Sequence, residues 1–113
     1  MAFKTRPRRR VRKEYRIAGE VFRVKKKERE RVPRILFEVL PLLMKAIRAE
    51  NPEERLELEK AVMWMLKKRG YDASLLVTDY YASLDISHKR SLYREYQLIL
   101  DRNGNVEIDV LIW

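Results

Sequence analysis

Apolar and polar positions alternate along residues 15–24 (YRIAGEVFRV), with one irregularity. Tyr15 and Ile17 share one parity, Phe22 and Val24 share the other, and Gly19 lies between them. A bulge or tight turn at Gly19 would restore a common face. The segment therefore predicts one bulged strand or a small hairpin.

From residue 33 to residue 50 the period becomes helical. Leu36, Leu40, Leu43 and Ile47 form one stripe, and Ile35, Val39, Leu42 and Ala46 form a second beside it. Pro33 suits a first helical position. Pro41 does not suit an interior, so the spacing predicts a kink near residues 37–41 or two short helices. Two adjacent apolar stripes exceed what one face of a small sheet needs. The helix is expected to be central or to form a dimer contact.

A second helix is clearly punctuated. Asn51 reads as its N-cap, Pro52 as its first residue, Glu54 as the partner in a capping box, and Gly70 as its stop. Leu58, Ala61, Val62, Met65 and Leu66 make its apolar face, while Trp64 points away among Glu57, Lys60 and Lys68. Residues 75–81 (LLVTDYY) predict a strand and residues 85–91 (DISHKRS) a loop.

The C-terminal segment reads as a hairpin whose register can be argued. A two-residue Asn103-Gly104 turn would set Leu98 against Asp109 and Leu100 against Glu107. A three-residue loop of Arg102, Asn103 and a left-handed Gly104 instead gathers Tyr96, Leu98, Leu100, Val106, Ile108, Val110 and Ile112 on one face. The apolar set selects the longer loop. The opposite face then carries Tyr93, Glu95, Gln97, Ile99, Glu107, Asp109, Leu111 and Trp113. The assembled order is β-α-α-β-β-β. It predicts an α+β fold, with two helices packed on one face of a three- to four-stranded antiparallel sheet.

Composition adds the chemistry. The 113 residues suit one domain, and the absence of cysteine excludes disulfides, thiolate metal sites and cysteine nucleophiles. The net charge is +9, and it is unevenly spread. Residues 1–34 hold 15 Lys+Arg and 4 Glu, a net of +11; residues 35–113 hold 11 Lys+Arg and 13 Asp+Glu, a net of −2. We therefore divide the chain into a basic arm, residues 1–13, and a single α+β domain, residues 14–113. The arm carries Lys4, Arg6, Arg8, Arg9, Arg10, Arg12 and Lys13 and no acid.

Arginine forks donate two hydrogen bonds to a phosphate, and an arm can follow a groove. The charge points to nucleic acid, DNA or RNA, as the partner. Arg16 extends the candidate set. Lys25, Lys26 and Lys27 are secondary candidates, because neighbouring Glu28 and Glu30 make that run read as a solvated connector. Trp64, exposed and aromatic, is a candidate for base stacking, although packing is the commoner use of such side chains. Tyr93 and Trp113 would face each other in the chosen register, as a pair or a subunit contact.

Other chemistries are weaker. Glu95, Glu107 and Asp109 share a strand face and could hold Mg²⁺, but alternating acids are an ordinary solvent face, and no Asp…Glu-x-Lys pattern is present. His88, near Asp85 and Ser87, reads as a surface-loop histidine. No enzyme activity, metal or other cofactor is expected. No apolar stretch approaches the ~20 residues of a membrane span or the core of a secretory signal, so a cytoplasmic setting is expected. Scarce Asn, Gln and Gly beside abundant Glu, Lys and Arg suggest a thermophilic archaeon or bacterium, or a virus of one. The function expected is non-enzymatic binding of nucleic acid, single-stranded DNA or RNA, with the basic arm contacting phosphates, in a ribosome- or chromatin-associated setting. The alternative is an assembly protein, a homodimer or a component of a larger particle.

Overall fold

The computed structural model describes residues 11–26, 31–88, 90 and 94–112. Strand β1 (Val11–Ile17) turns back into β2 (Glu20–Lys26). The turn has positive φ at both Ala18 (52°) and Gly19 (81°), the pattern of the two-residue turns whose twist matches a hairpin. Antiparallel pairing sets Tyr15 against Phe22, so the parity change at Gly19 marks a hairpin and not a bulge. Val11, Arg12 and Lys13, counted with the arm in the sequence, are the first residues of β1.

The next segment breaks where Pro41 required it. Helix α1 (Ile35–Glu38) is a single turn, and α2 (Leu40–Arg48) restarts with Pro41 in its first turn, where a missing N–H costs nothing. Ile35, Leu36, Val39, Leu40, Leu43, Met44, Ala46 and Ile47 are all buried. Seven of the eight stripe positions are thus buried in the chain's own core, and Leu42 is half-buried against it, so the segment is central to the fold. Helix α3 (Pro52–Lys68) begins as its punctuation indicated: the Asn51 side chain accepts from Glu54 N–H at 2.8 Å.

Four strands then run as a meander: β3 (Tyr71–Val77), β4 (Tyr81–His88), β5 (Arg94–Asp101) and β6 (Asn105–Ile112). Two expectations fail here. Residues 75–81 are not one strand but the end of β3, a turn, and the start of β4; residues 85–88, expected as loop, belong to β4. The turn carries neither Gly nor Pro. It is made by the Thr78 hydroxyl, which accepts from the N–H groups of Tyr80 and Tyr81, both at 3.1 Å. The last hairpin has the expected three-residue loop, with Gly104 at φ +90° and Leu98 opposite Ile108.

The sheet has six strands in the order β1-β2-β6-β5-β4-β3. It is mixed, because β2 and β6 pair parallel, so the expected three- to four-stranded antiparallel sheet is too small and of the wrong kind. The helices carry the chain from β2 to the far edge, and the meander returns it beside β2. The α+β class stands, with the helices on one face. Phe22, Val24, Ala82, Leu84, Ile86, Leu98, Leu100, Val106 and Ile108 pack beneath them. Among the described residues no polar or charged side chain is buried. No helix of the described residues is long and apolar enough to cross a membrane.

Candidate nucleic-acid interface

Strand parity sorts the cations of the β1–β2 hairpin. Arg12 and Arg16 of β1, and Arg23 and Lys25 of β2, lie on the sheet face away from the helices. Lys13 and Lys26 fall on the helix side. The only acids on the hairpin are Glu14 and Glu20 against six cations, a local net of +4 over residues 11–26. Tyr15 anchors the hairpin's helix side, its ring 5.1 Å from that of Phe37.

The hairpin joins the rest of the sheet along a short seam. Only Arg23, Val24 and Lys25 pair with β6, opposite Asn105, Val106 and Glu107. A polar network reinforces the seam. The Asn105 side-chain oxygen accepts from Arg23 Nε (3.0 Å) and Arg12 Nη1 (3.3 Å), while its amide donates to Asp101 (3.0 Å). Arg23 Nη2 also donates to the Asn103 carbonyl at 2.8 Å, and Arg23 N–H to the Gly104 carbonyl at 2.8 Å. Asp101 further accepts from the Asn103 and Asn105 N–H groups at 2.8 and 3.0 Å. Partial burial would raise the Asp101 pKa; the hydrogen bonds from Asn105 and Asn103 and the charge of Arg23 outweigh it and hold it below the usual value.

These contacts divide the cations by availability. Arg23 is committed to the seam. Arg12 reaches it through two 3.3 Å bonds while staying exposed, and Lys25 stands 4.0 Å from Glu107. Lys13 and Arg16 are exposed and have no ion-pair partner among the described residues. Lys4, Arg6, Arg8, Arg9, Arg10 and Lys27 lie outside the described residues. The sequence indicated the charge of this region. It did not indicate that Asn105, ninety residues away, would fix the hairpin; an Asn after a turn glycine carries no distinguishing signal.

Trp64 is not part of this cluster. It lies on α3, which packs on β3, at the edge of the sheet opposite β1. Five strand spacings separate the two edges, about 24 Å. The indole is 61% exposed, and the Lys68 ammonium lies 4.7 Å from its ring centroid. Tyr93 and Trp113 lie outside the described residues.

The remainder of the open face has the opposite sign. Asp72, Asp85, Glu95, Asp101, Glu107 and Asp109 of β3–β6 all share it, without a Lys or Arg at the described positions of that face. Such a surface repels phosphate, so this half of the sheet is a poor nucleic-acid platform. Glu95, Glu107 and Asp109 do share the face. Among the described residues, though, no three His, Asp or Glu side chains converge to hold a metal ion.

His88 ends β4 and is not in a loop. Its parity opposes that of Asp85 and Ser87, so these three do not assemble as a nucleophile-base set. Its ring meets Tyr71 edge-on at 5.1 Å, and its Nδ1 accepts from Arg90 N–H at 3.1 Å. Burial and the neighbouring Tyr96 push the Tyr71 hydroxyl pKa up.

No protein-family model matches the chain, and comparisons with curated proteins and with solved structures find no match.

Proposed function

We propose that the protein binds nucleic acid without catalysing a reaction on it, through the basic hairpin and the arm that leads into it. One observation carries this reading. The exposed cations Arg12, Lys13 and Arg16 sit on the first strand of the sheet, directly continuous with Lys4, Arg6, Arg8, Arg9 and Arg10 in the sequence. A binding surface would thus run from the arm onto an ordered strand. The acidic remainder of the open face would then orient a polyanion by repulsion, confining it to the hairpin edge.

The test is a salt titration of binding to single- and double-stranded DNA and RNA oligonucleotides. Seven arm cations on phosphates give a log–log slope of roughly −5 to −6. Removing residues 1–10 should flatten that slope and weaken binding for every sequence alike. A slope near zero, or unchanged affinity after the deletion, would refute the proposal. An assembly role, the alternative reading, is supported by a separate observation, the outer edge strand β3, whose only charged residue is Asp72.

A further inference from the structure

The sheet ends in two edges of very different character. At one edge, β1 places Arg12, Lys13, Glu14 and Arg16 within seven residues. Charges of this kind keep edge strands from pairing with other chains. At the other, β3 reads YDASLLV, with Asp72 its only charge and neither lysine nor proline. Among the described residues, β3 pairs with β4 alone.

The phase of the β3–β4 ladder shows what this edge offers. Thr78 N–H donates to the Tyr81 carbonyl at 2.8 Å, so Asp72, Ser74 and Leu76 turn their backbone groups toward β4. The N–H and C=O groups of Tyr71, Ala73, Leu75 and Val77 therefore face outward. None of them bonds to another backbone group beyond the ladder among the described residues. The exposed large apolar side chains gather at the same edge. Five of the seven among the described residues are Leu56 and Trp64 on α3, Leu76 on β3, and Tyr80 and Tyr81 in and after its turn.

We infer that β3 is a self-association edge, pairing antiparallel with β3 of a second copy about a two-fold axis at Leu75. In that register Ala73 meets Val77 and Ser74 meets Leu76, each a small residue against a larger apolar one. Asp72 falls opposite Thr78. A register centred on Ser74 would instead set Asp72 against Leu76. The partner is a second copy because the edge is nearly uncharged and matches itself, while the strongly basic hairpins lie at the opposite edges. In the resulting twelve-stranded sheet they stand about 50 Å apart, beyond several screening lengths. The inference does not depend on nucleic-acid binding.

The test is sedimentation or light scattering of the full chain, freed of nucleic acid by nuclease and high salt. The expected mass is twice 13.7 kDa. The double variant Ser74→Lys with Leu76→Lys sets like charges across the axis and should halve the mass. Ser74→Lys with Leu76→Glu sets Lys against Glu in the same register and should restore the dimer. Both side chains are exposed, so circular dichroism should report an intact fold in either variant. Ile99→Lys, on the open face away from the edge, should leave the dimer unchanged. A monomeric full chain, or a dimer indifferent to the Lys/Lys pair, would overturn the inference. Dissociation by Ile99→Lys would do the same and assign the contact to the open face.

Discussion

The β1–β2 hairpin and the β3–β6 meander belong to one sheet yet are held in different ways. Meander strands meet along seven paired positions at each junction; β4, β5 and β6 bury side chains in the core, and half-buried β3 side chains pack against it. The hairpin meets the meander at three positions and depends on Phe22, Val24 and a polar network at Asn105. Charge divides along the same line. The hairpin holds exposed cations, and the meander's open face holds acids. The cation-bearing hairpin is thus the element with the least backbone anchoring, and burial of Phe22 and Val24, packing of Tyr15 and Ile17 against the core, and the Asn105 network secure it.

The strongest way to break this arrangement is at Gly104. A Cβ there would lie 2.5 Å from the Val21 carbonyl oxygen, on a backbone with φ +90°. Gly104→Ala should destabilise the protein by on the order of 3 kcal/mol, read by denaturant unfolding, through left-handed strain and displacement of β2. Next in size is Asn105→Ala, which removes an acceptor shared by two arginines. It should cost about 1–3 kcal/mol. Amide exchange should quicken in β1 and β2 well before β3–β5. Uniform acceleration would mean that the hairpin is not a separable unit.

Asn51→Ala tests the other side. Loss of the α3 cap should cost about 1 kcal/mol and leave hairpin exchange unchanged relative to global stability. Smaller still, Arg16→Ala should leave stability unaltered and reduce the magnitude of the salt slope for duplex binding by about 0.9. An unchanged slope would remove Arg16 from the interface.

Acid should loosen both halves. The Asp79 pKa is lowered by its hydrogen bond and charge contact with Arg55, and that of Asp101 is lowered by the network described above. Both carboxyls ionise more readily in the folded state than at the unfolded value of 3.8. Their contribution is therefore complete above that pH and lost as pH falls through the lowered folded values. Asp101→Asn should shrink the acid-side loss of stability and Asp79→Asn should do so independently, because the two sit in separate contacts. Thermal unfolding between pH 2 and 6 measures both.

Much of this was legible in the residues. Local signals with one physical meaning read correctly: the Asn51 cap, the break forced by Pro41, the left-handed Gly104 and the register chosen by a common apolar face. The β3–β4 turn was missed because a threonine hydroxyl closes it, and LLVTDYY carries a strand's composition throughout. The charged strand β1 was read in part as an arm, because basic residues mark both arms and guarded edges. Of the candidate interface, the charge was visible and the anchoring was not.

The sequence by itself determined the α+β class, the helix boundaries, the inner face of the last hairpin and the placement of positive charge in the first third. These depend on contacts within a few residues, or on a period that one strand or helix imposes on itself. Only the tertiary structure decided that β2 lies parallel to β6, that Asn105 receives Arg12 and Arg23, that Trp64 sits far from the basic strand, and that one sheet edge is guarded while the other is bare. Pairing across eighty or ninety residues is chosen by how the whole apolar surface closes. No local pattern encodes that choice.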